Sequence, residues 1–344
     1  MAVFEPQPDG RLNSIDYSGI DRILENLVFV SGPSLRRRAD RPVPAANTRI
    51  VFGHTSPVRL EGNKVKFSRM TQAQRRAIAI NIEDLVSFSN AEPINRMPRS
   101  AQLAYWINLH NMLVISEISK QYPIRRPRSL EIGPQALPFH EAPIVEIDGV
   151  ALSLRDIRLG IVYKYWQDPR VMYGFFHGDL ASPGIRQHAY KPETIWRDLE
   201  KNGRKFVNSL RGVQRRRQER ITRVSPLYKE ARPALFPAWP NDLTDHLNAL
   251  AGPEVQKILS SAPSIAFEDY ESRIADLVGG EPTMSGSMIL SIATSGQFLI
   301  AGSPFFRMME EYVLKNRRLA ARFRVGQITI EDLENDKETI NTDR

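Results

Sequence analysis

The sequence contains no cysteine. That excludes disulfides, thiolate nucleophiles and any zinc or iron–sulfur site built on sulfur, and it fits a reducing or an oxidising compartment equally well. Long apolar runs are also missing: nothing approaches the ~18 consecutive apolar residues that span a bilayer, so no transmembrane segment is expected. The opening Met1-Ala2-Val3-Phe4-Glu5-Pro6 lacks the basic and apolar regions of a secretory signal. As it stands, the sequence reads as cytoplasmic; a signal trimmed from its N-terminus would make it periplasmic or secreted instead. Phosphate-binding glycine loops are absent too. Gly178 to Gly184 lacks the P-loop lysine and spacing, and Gly279-Gly280 is too short to count. There is no H-E-x-x-H metal signature, no G-x-S-x-G elbow and no internal repeat. No cofactor or metal is expected.

What is present reads as a soluble globular protein: 344 residues, 42% hydrophobic and 25% charged. That length can bury a sizeable core, as one large domain or two ordinary ones. A net charge of +8 permits attraction to nucleic acid or anionic membrane. The 47 basic residues are, however, scattered among 39 acidic ones. The dense clusters Arg36-Arg37-Arg38 and Arg215-Arg216-Arg217 with Arg220 read as solvated loops. No aromatic RNA platform or helix-turn-helix accompanies them. The expected partner is a protein or a small molecule rather than nucleic acid.

Local patterns divide the chain into residues 1–70, an N-terminal helix and irregular arm; 71–280, the main domain; and 281–344, a C-terminal helical extension. Ser14 and Asp16 precede Ile20, Ile23, Leu24 and Leu27 at helical spacing. Residues 31–70 are irregular, with β-like pieces such as Arg49-Ile50-Val51-Phe52. Helices are predicted over 71–89 and 98–121, the second ended by Pro123. Ile144–Ile147 and Val150–Leu152 around Asp148-Gly149 predict a two-residue hairpin. Ser153-Leu154-Arg155-Asp156 resembles a capping box opening a helix to Trp166. The apolar run Val171–Phe176 has the profile of a buried strand. Pro192 suits the first turn of a helix reaching Ser209. A strand over 221–228, a helix from Asn241 or Asp242 to Leu250 closed by Gly252-Pro253, and a strand at Ser264–Phe267 follow. Residues 284–314, interrupted by Gly296, Gly302 and Pro304, read as a packing arm over the domain or a partner subunit, with a membrane-surface helix as the alternative. The Pro/Trp loop around Trp239 reads as anchored to the core, with a groove for a peptide or sugar as the alternative.

The most informative run is Ala104 to Val114, too apolar for a surface helix yet carrying Asn108, His110 and Asn111. Buried amides and imidazoles lose roughly 1–3 kcal/mol for each group left unpaired, so this helix must meet specific partners. At 100° per residue, Leu103, Trp106, Ile107, His110 and Val114 share one arc. Asn108 and Asn111 share another, beside Ala101 and Ala104. His110 therefore reads as a core histidine, and the two asparagines as clamps on a neighbouring loop or as ligand contacts.

The run Ala104 to Leu113 resembles the "A-[FY]-W-I-N-L-Y-N-A-L" signature of the domain-of-unknown-function 547 family. Tyr122-Pro123, Gly149, Ser153 to Ile157, Asp168 to Val171, Ser182-Pro183, Ala189-Tyr190 and Ile265 to Phe267 with Tyr270 resemble later family blocks in the same order. The resemblance covers roughly residues 80–278. Typical members read "N-C-G-S-x-S-C-P-P-L" where this chain reads Phe176 to Ile185, with His177 and Ser182 in place of both thiols. The family's "D-I-E-H" is here Asp156-Ile157-Arg158-Leu159, and its motif tyrosine is His110. Thiolate chemistry cannot be inherited. The resemblance implies a fold more than an activity.

The fold class expected is α+β: a helix-rich single domain around a small, mostly antiparallel sheet, with a papain- or transglutaminase-like arrangement as an analogy. The leading functional reading is a catalytically degenerate binding or scaffolding module, with a cleft between the 104–114 helix and the 176–185 turn. Trp106, Asn108, His110, Asn111, Asp156 and Arg158 are its candidate pocket residues. The alternative is a hydrolase or transferase in which Ser182 is the nucleophile. His177, His188 or His110 would be its base, oriented by Asp179 or Asp156. Ser-Pro is also ordinary turn chemistry, and Asp156 is also the natural capping partner of Ser153. A metal held by His177 and Asp179 with His188 or His140 lacks any supporting spacing.

Overall fold

Residues 1–10, 14–42, 44, 51, 53–216, 219–281 and 304–323 are described by the computed structural model. The β-like piece at 49–52 (Val51 apart), Arg217, Gly296, Gly302 and the tail after residue 323 lie outside the described residues.

Helix α1 (Ser18–Leu27) buries Ile20, Ile23, Leu24 and Leu27, the amphipathic set its spacing promised. It starts later than Ser14 because the Asp16 carboxylate accepts from the Ser18 amide at 2.8 Å. Strand β1 (Val28–Phe29) pairs antiparallel with β2 (Lys64–Val65) across the irregular arm. Helix α2 (Gln72–Ala91) opens on a full capping box between Thr71 and Gln74. Helix α3 (Arg99–Gln121) stops ahead of Pro123, and residues 101–116 are buried on every face. A helix apolar all round belongs to the core.

Two short ladders follow: β3 (Glu131–Ile132) with β4 (Leu137–Pro138), and β5 (Pro143–Ile147) with β6 (Val150–Ser153). Asp148 and Gly149, at φ 49° and 72°, form the left-handed two-residue turn of the second. The next segment is helical as expected but differently wound. Residues Asp156–Val162 form a π-helix that runs into the short α4 (Tyr163–Tyr165). This wide winding carries the neighbours Ile157 and Arg158 into the core together.

The run Val171–Phe176 is not a strand. Pro169–Gly174 form a buried 3₁₀ helix, capped by the Asp168 carboxylate accepting from the Arg170 amide at 2.9 Å. Asp168-Pro169 is a cap followed by proline in the first turn, whereas apolar continuity alone cannot tell a buried strand from a buried helix. Helix α5 (Ile195–Val207) begins after Pro192, which sits in the preceding turn. Strands β7 (Val213–Gln214) and β8 (Ile221–Val224) precede helix α6 (Leu227–Leu235), so the expected strand ends before Leu227. Helix α7 (Asn241–Leu250) is followed by α8 (Pro253–Ser261), which the sequence reading missed; Pro253 starts it as well as stopping α7. Strand β9 (Ser264–Phe267) pairs parallel with β8, the one parallel ladder among the described strands.

The chain is an α+β protein of helices with small, mostly antiparallel sheets. Among the described residues the β-structure forms four separate small sheets rather than one. Helix α3 packs chiefly on α2, α5 and the π-helix, so its main neighbours are helices, not the antiparallel sheet of the papain analogy. The core runs from Phe4 to Ala275. Trp239 stacks on Phe267 at 5.5 Å, as a core-anchored loop does.

Helix α9 (Pro304–Phe323) lies on the N-terminal arm. Its Met308 and Tyr312 join Leu277 and Val278 in a satellite cluster, with Phe29 and Leu60 alongside. Lys315 Nζ donates to the carbonyls of Ser31 (2.7 Å) and Leu60 (2.8 Å), and Arg59 forks onto Glu311. Among the described residues, no helix is long and apolar enough to cross a membrane.

Candidate functional site

The two asparagines of α3 each grip one stretch of backbone. Asn108 donates to the Tyr190 carbonyl (2.8 Å) and accepts from the Tyr190 amide (2.9 Å). Asn111 donates to the Gly174 carbonyl (2.9 Å) and accepts from the Phe176 amide (2.9 Å). Irregular backbone buried against α3 thereby has its polar groups met. Trp106 is fully buried edge-on to Phe4 at 5.1 Å and lines neither cavity described below.

One turn along, His110 enters a buried cluster of imidazoles and guanidinium groups. Arg158, 2% exposed, donates from Nη1 to His110 Nε2 (3.0 Å), His140 Nδ1 (3.3 Å) and the Leu154 carbonyl (3.2 Å). Its Nε donates to Glu230 at 2.8 Å. Because arginine only donates, His110 must carry its proton on Nδ1, which faces Asn111 Oδ1 at 3.2 Å. Arg128 supplies the second cation, donating to His177 Nδ1 (3.0 Å) and Asp179 Oδ2 (3.1 Å). The Tyr270 hydroxyl donates to the same carboxylate oxygen at 2.8 Å.

Charge balances within the cluster, with Glu230 facing Arg158 and Asp179 facing Arg128. Burial, reinforced by Arg158, drives the His110, His140 and His177 pKa values well below the ordinary imidazole range. All three are neutral at pH 7. Burial raises the Asp179 carboxyl, against the pull of Arg128 and Tyr270. With Nδ1 accepting from arginine, His177 and His140 present Nε2–H as donors. Neither has a hydrogen-bond partner among the described residues. Among the described residues no group of three or more His, Asp or Glu is arranged to hold a metal ion. Where two imidazoles converge, the chain places Arg158 itself.

The candidate nucleophile is held by backbone. Ser182 is 1% exposed; its Oγ donates to the Asp179 carbonyl (2.8 Å) and accepts from the His177 amide (3.1 Å). Its own amide donates to Asp179 Oδ1 at 3.1 Å. No imidazole nitrogen is among its hydrogen-bond partners, so the hydroxyl has no base. His188 lies apart, facing Glu25 at 3.3 Å. Asp156 accepts from both the amide (3.0 Å) and the hydroxyl (2.6 Å) of Ser153, as a cap does.

The cleft expected between α3 and the 176–185 turn is closed by these bonds. What remains there is a space of about 10 Å³ beside Asn108, Asn111, Ile185 and Tyr190, the room of about one water. A cavity of about 440 Å³ lies elsewhere, between residues 51 and 53–55, 124–129 and 273–281. Arg125, Arg126 and Arg273 line it, with Glu281, His54, Ser129 and Gly279. The buried cluster shares this stretch of chain: 124–129 contains Arg128, and Tyr270 lies just ahead of 273–281.

Sequence reasoning singles out His110, Asn111, Arg158, His177, Asp179 and Ser182, and the structure places them in two hydrogen-bonded groups that meet where the rings of His110 and His140 face His177 at 6.2 and 5.4 Å. It missed Arg128, Tyr270 and Glu230 as members, and it missed the arginine-lined cavity. In the sequence Tyr270 stands out only as part of a family block. Gly279-Gly280, too short for a phosphate loop, is the one sequence signal near the cavity.

A protein-family model described as "Protein of unknown function, DUF547" matches residues 94–207. The DUF547 segment holds α3, the π-helix, the His177–Ser182 turn and α5, so three departures from the family pattern, His110, Arg158 and His177, meet in one place. No curated protein and no solved structure matches the chain. The family description carries no activity, and the rest of the chain, including the 270–281 strap and α9, lies beyond the match.

Proposed function

We propose that this chain is a binding module rather than a hydrolase or transferase. In this reading the His177–Ser182 turn is fixed architecture, and the ligand occupies the arginine-lined cavity. The observation that carries the reading is the environment of Ser182. A serine nucleophile needs a base on its hydroxyl and access for an acyl or phosphoryl group. This hydroxyl spends its proton on a carbonyl, accepts an amide, and is closed off from solvent. The ring nitrogen nearest in sequence, His177 Nδ1, accepts from Arg128 instead. The 440 Å³ cavity, by contrast, falls within the ~300–1,000 Å³ range of small-molecule sites.

A fluorophosphonate probe tests the reading directly. No labelling of the native chain is expected. Labelling that disappears in Ser182→Ala would overturn the binding-module reading and restore the serine enzyme.

A further inference from the structure

We infer that the cavity between residues 51 and 53–55, 124–129 and 273–281 binds a small oxyanion, a carboxylate or phosphate group, in competition with the chain's own Glu281. The inference rests on the binding-module reading and names its ligand class.

Three observations converge. First, the lining carries three arginines against one carboxylate. Arg273 is held at one end by Glu271 at 3.0 Å, and Arg125 faces Glu281 at 3.0 Å. Arg126 has no ion-pair partner among the described residues and is exposed beside the cavity. His54 adds no charge: its Nε2 pairs with the Ile274 carbonyl at 3.0 Å, and burial with Lys64 nearby lowers its pKa to about 3. The site is therefore positive at any pH near neutrality.

Second, an anion position already exists and is filled from within. The Glu281 carboxylate accepts from the Gly53 amide at 2.7 Å and from Arg125 at 3.0 Å. A backbone N–H together with a guanidinium is a donor pair that serves a ligand oxyanion as well as a side-chain carboxylate. Glu281 stands in for the ligand's acidic group.

Third, the wall that carries Glu281 is built to a tight tolerance. Asp276 accepts from the amides of Val278 (3.2 Å) and Gly280 (3.1 Å) and from the Tyr122 hydroxyl (3.1 Å), which fixes the course of the strap. Gly279 and Gly280 run at φ 75° and 79°. A Cβ on Gly280 would lie 1.8 Å from the Ile124 carbonyl oxygen, and one on Gly279 2.9 Å from His54 Cα. Close backbone approach of this kind is what glycine uniquely permits. It sets Glu281 in the cavity lining with Arg125, Arg126 and Arg273, of which Arg126 alone has no carboxylate partner among the described residues.

Calorimetric titration of the full chain with inorganic phosphate, and separately with succinate, tests the inference. Saturable binding of at least one is expected, and whichever binds more tightly tells phosphate from carboxylate. Arg126→Ala should weaken it roughly tenfold, the loss of about one charge-assisted contact. Glu281→Gln should strengthen it severalfold by removing the internal competitor. Arg204→Ala, whose guanidinium pairs with Glu200 on the surface of α5, should change nothing. Failure of both anions to bind, or an equal loss in Arg126→Ala and Arg204→Ala, would overturn the oxyanion assignment. Neither result bears on Ser182 labelling, so this inference and the binding-module reading fail separately.

Discussion

Arg126 and Arg128 are two residues apart, yet they belong to opposite kinds of polar site. Arg128 reaches inward to His177 and Asp179, into a cluster where each cation faces a carboxylate and little room is left. Arg126 faces outward onto about 440 Å³ of open volume with no acidic partner among the described residues. Both regions are rich in arginine, and residue type does not separate them. Pairing does: a polar group whose bonds all end on the chain specifies the fold, whereas one with free donors around a void is available to a ligand.

Acid should break this comparison most forcefully. His54 and His246 have pKa values lowered to about 3 and about 4, and His110, His140 and His177 are also lowered, by burial first in every case. A depressed imidazole is neutral when folded but takes up a proton when unfolded. Stability is therefore full above the ordinary imidazole value near 6.5 and is lost as pH falls below it. The buried carboxyls Asp179 and Asp276 are raised and offset part of the loss. Urea midpoints are expected to fall between pH 7 and pH 5. A flat profile would mean that the imidazoles are not buried as described.

The next largest effect belongs to Arg158→Ala. It strands Glu230 and removes the donor shared by His110 and His140, at a loss of about 3–5 kcal/mol in urea unfolding. A loss under about 1 kcal/mol would show that the cluster is not an anchor. The smallest effect sharpens the contrast: Arg126→Ala should shift stability by no more than about 0.5 kcal/mol. A large destabilisation there would mean that Arg126, too, is structural.

Much of the architecture was legible in the sequence because it rests on local rules. The Asp148-Gly149 hairpin, the start of α3 and its halt before Pro123, and the Ser153–Asp156 cap all follow from backbone preferences within a few residues. The 171–176 segment misled because burial on all sides erases periodicity, and the decisive signal was the Asp168-Pro169 cap ahead of it. The site was half legible. His110, Arg158 and His177 stood out as unusual residues in family blocks. Arg128, Tyr270 and Glu230 carry no local mark, since only tertiary pairing over 51, 91 and 72 residues gives them a role. The cavity was invisible for the same reason. Its walls come from three stretches far apart in the chain, and an exposed arginine in a sequence looks like any solvated one.

A crystal structure of the full chain soaked in phosphate or succinate puts the contrast to its most direct test. The expected result is a bound oxyanion among Arg125, Arg126 and Arg273, with the Glu281 carboxylate turned away from Gly53 and the Ser182 hydroxyl still on the Asp179 carbonyl. A ligand bound instead against Ser182, with that hydroxyl swung onto an imidazole nitrogen, would contradict the account.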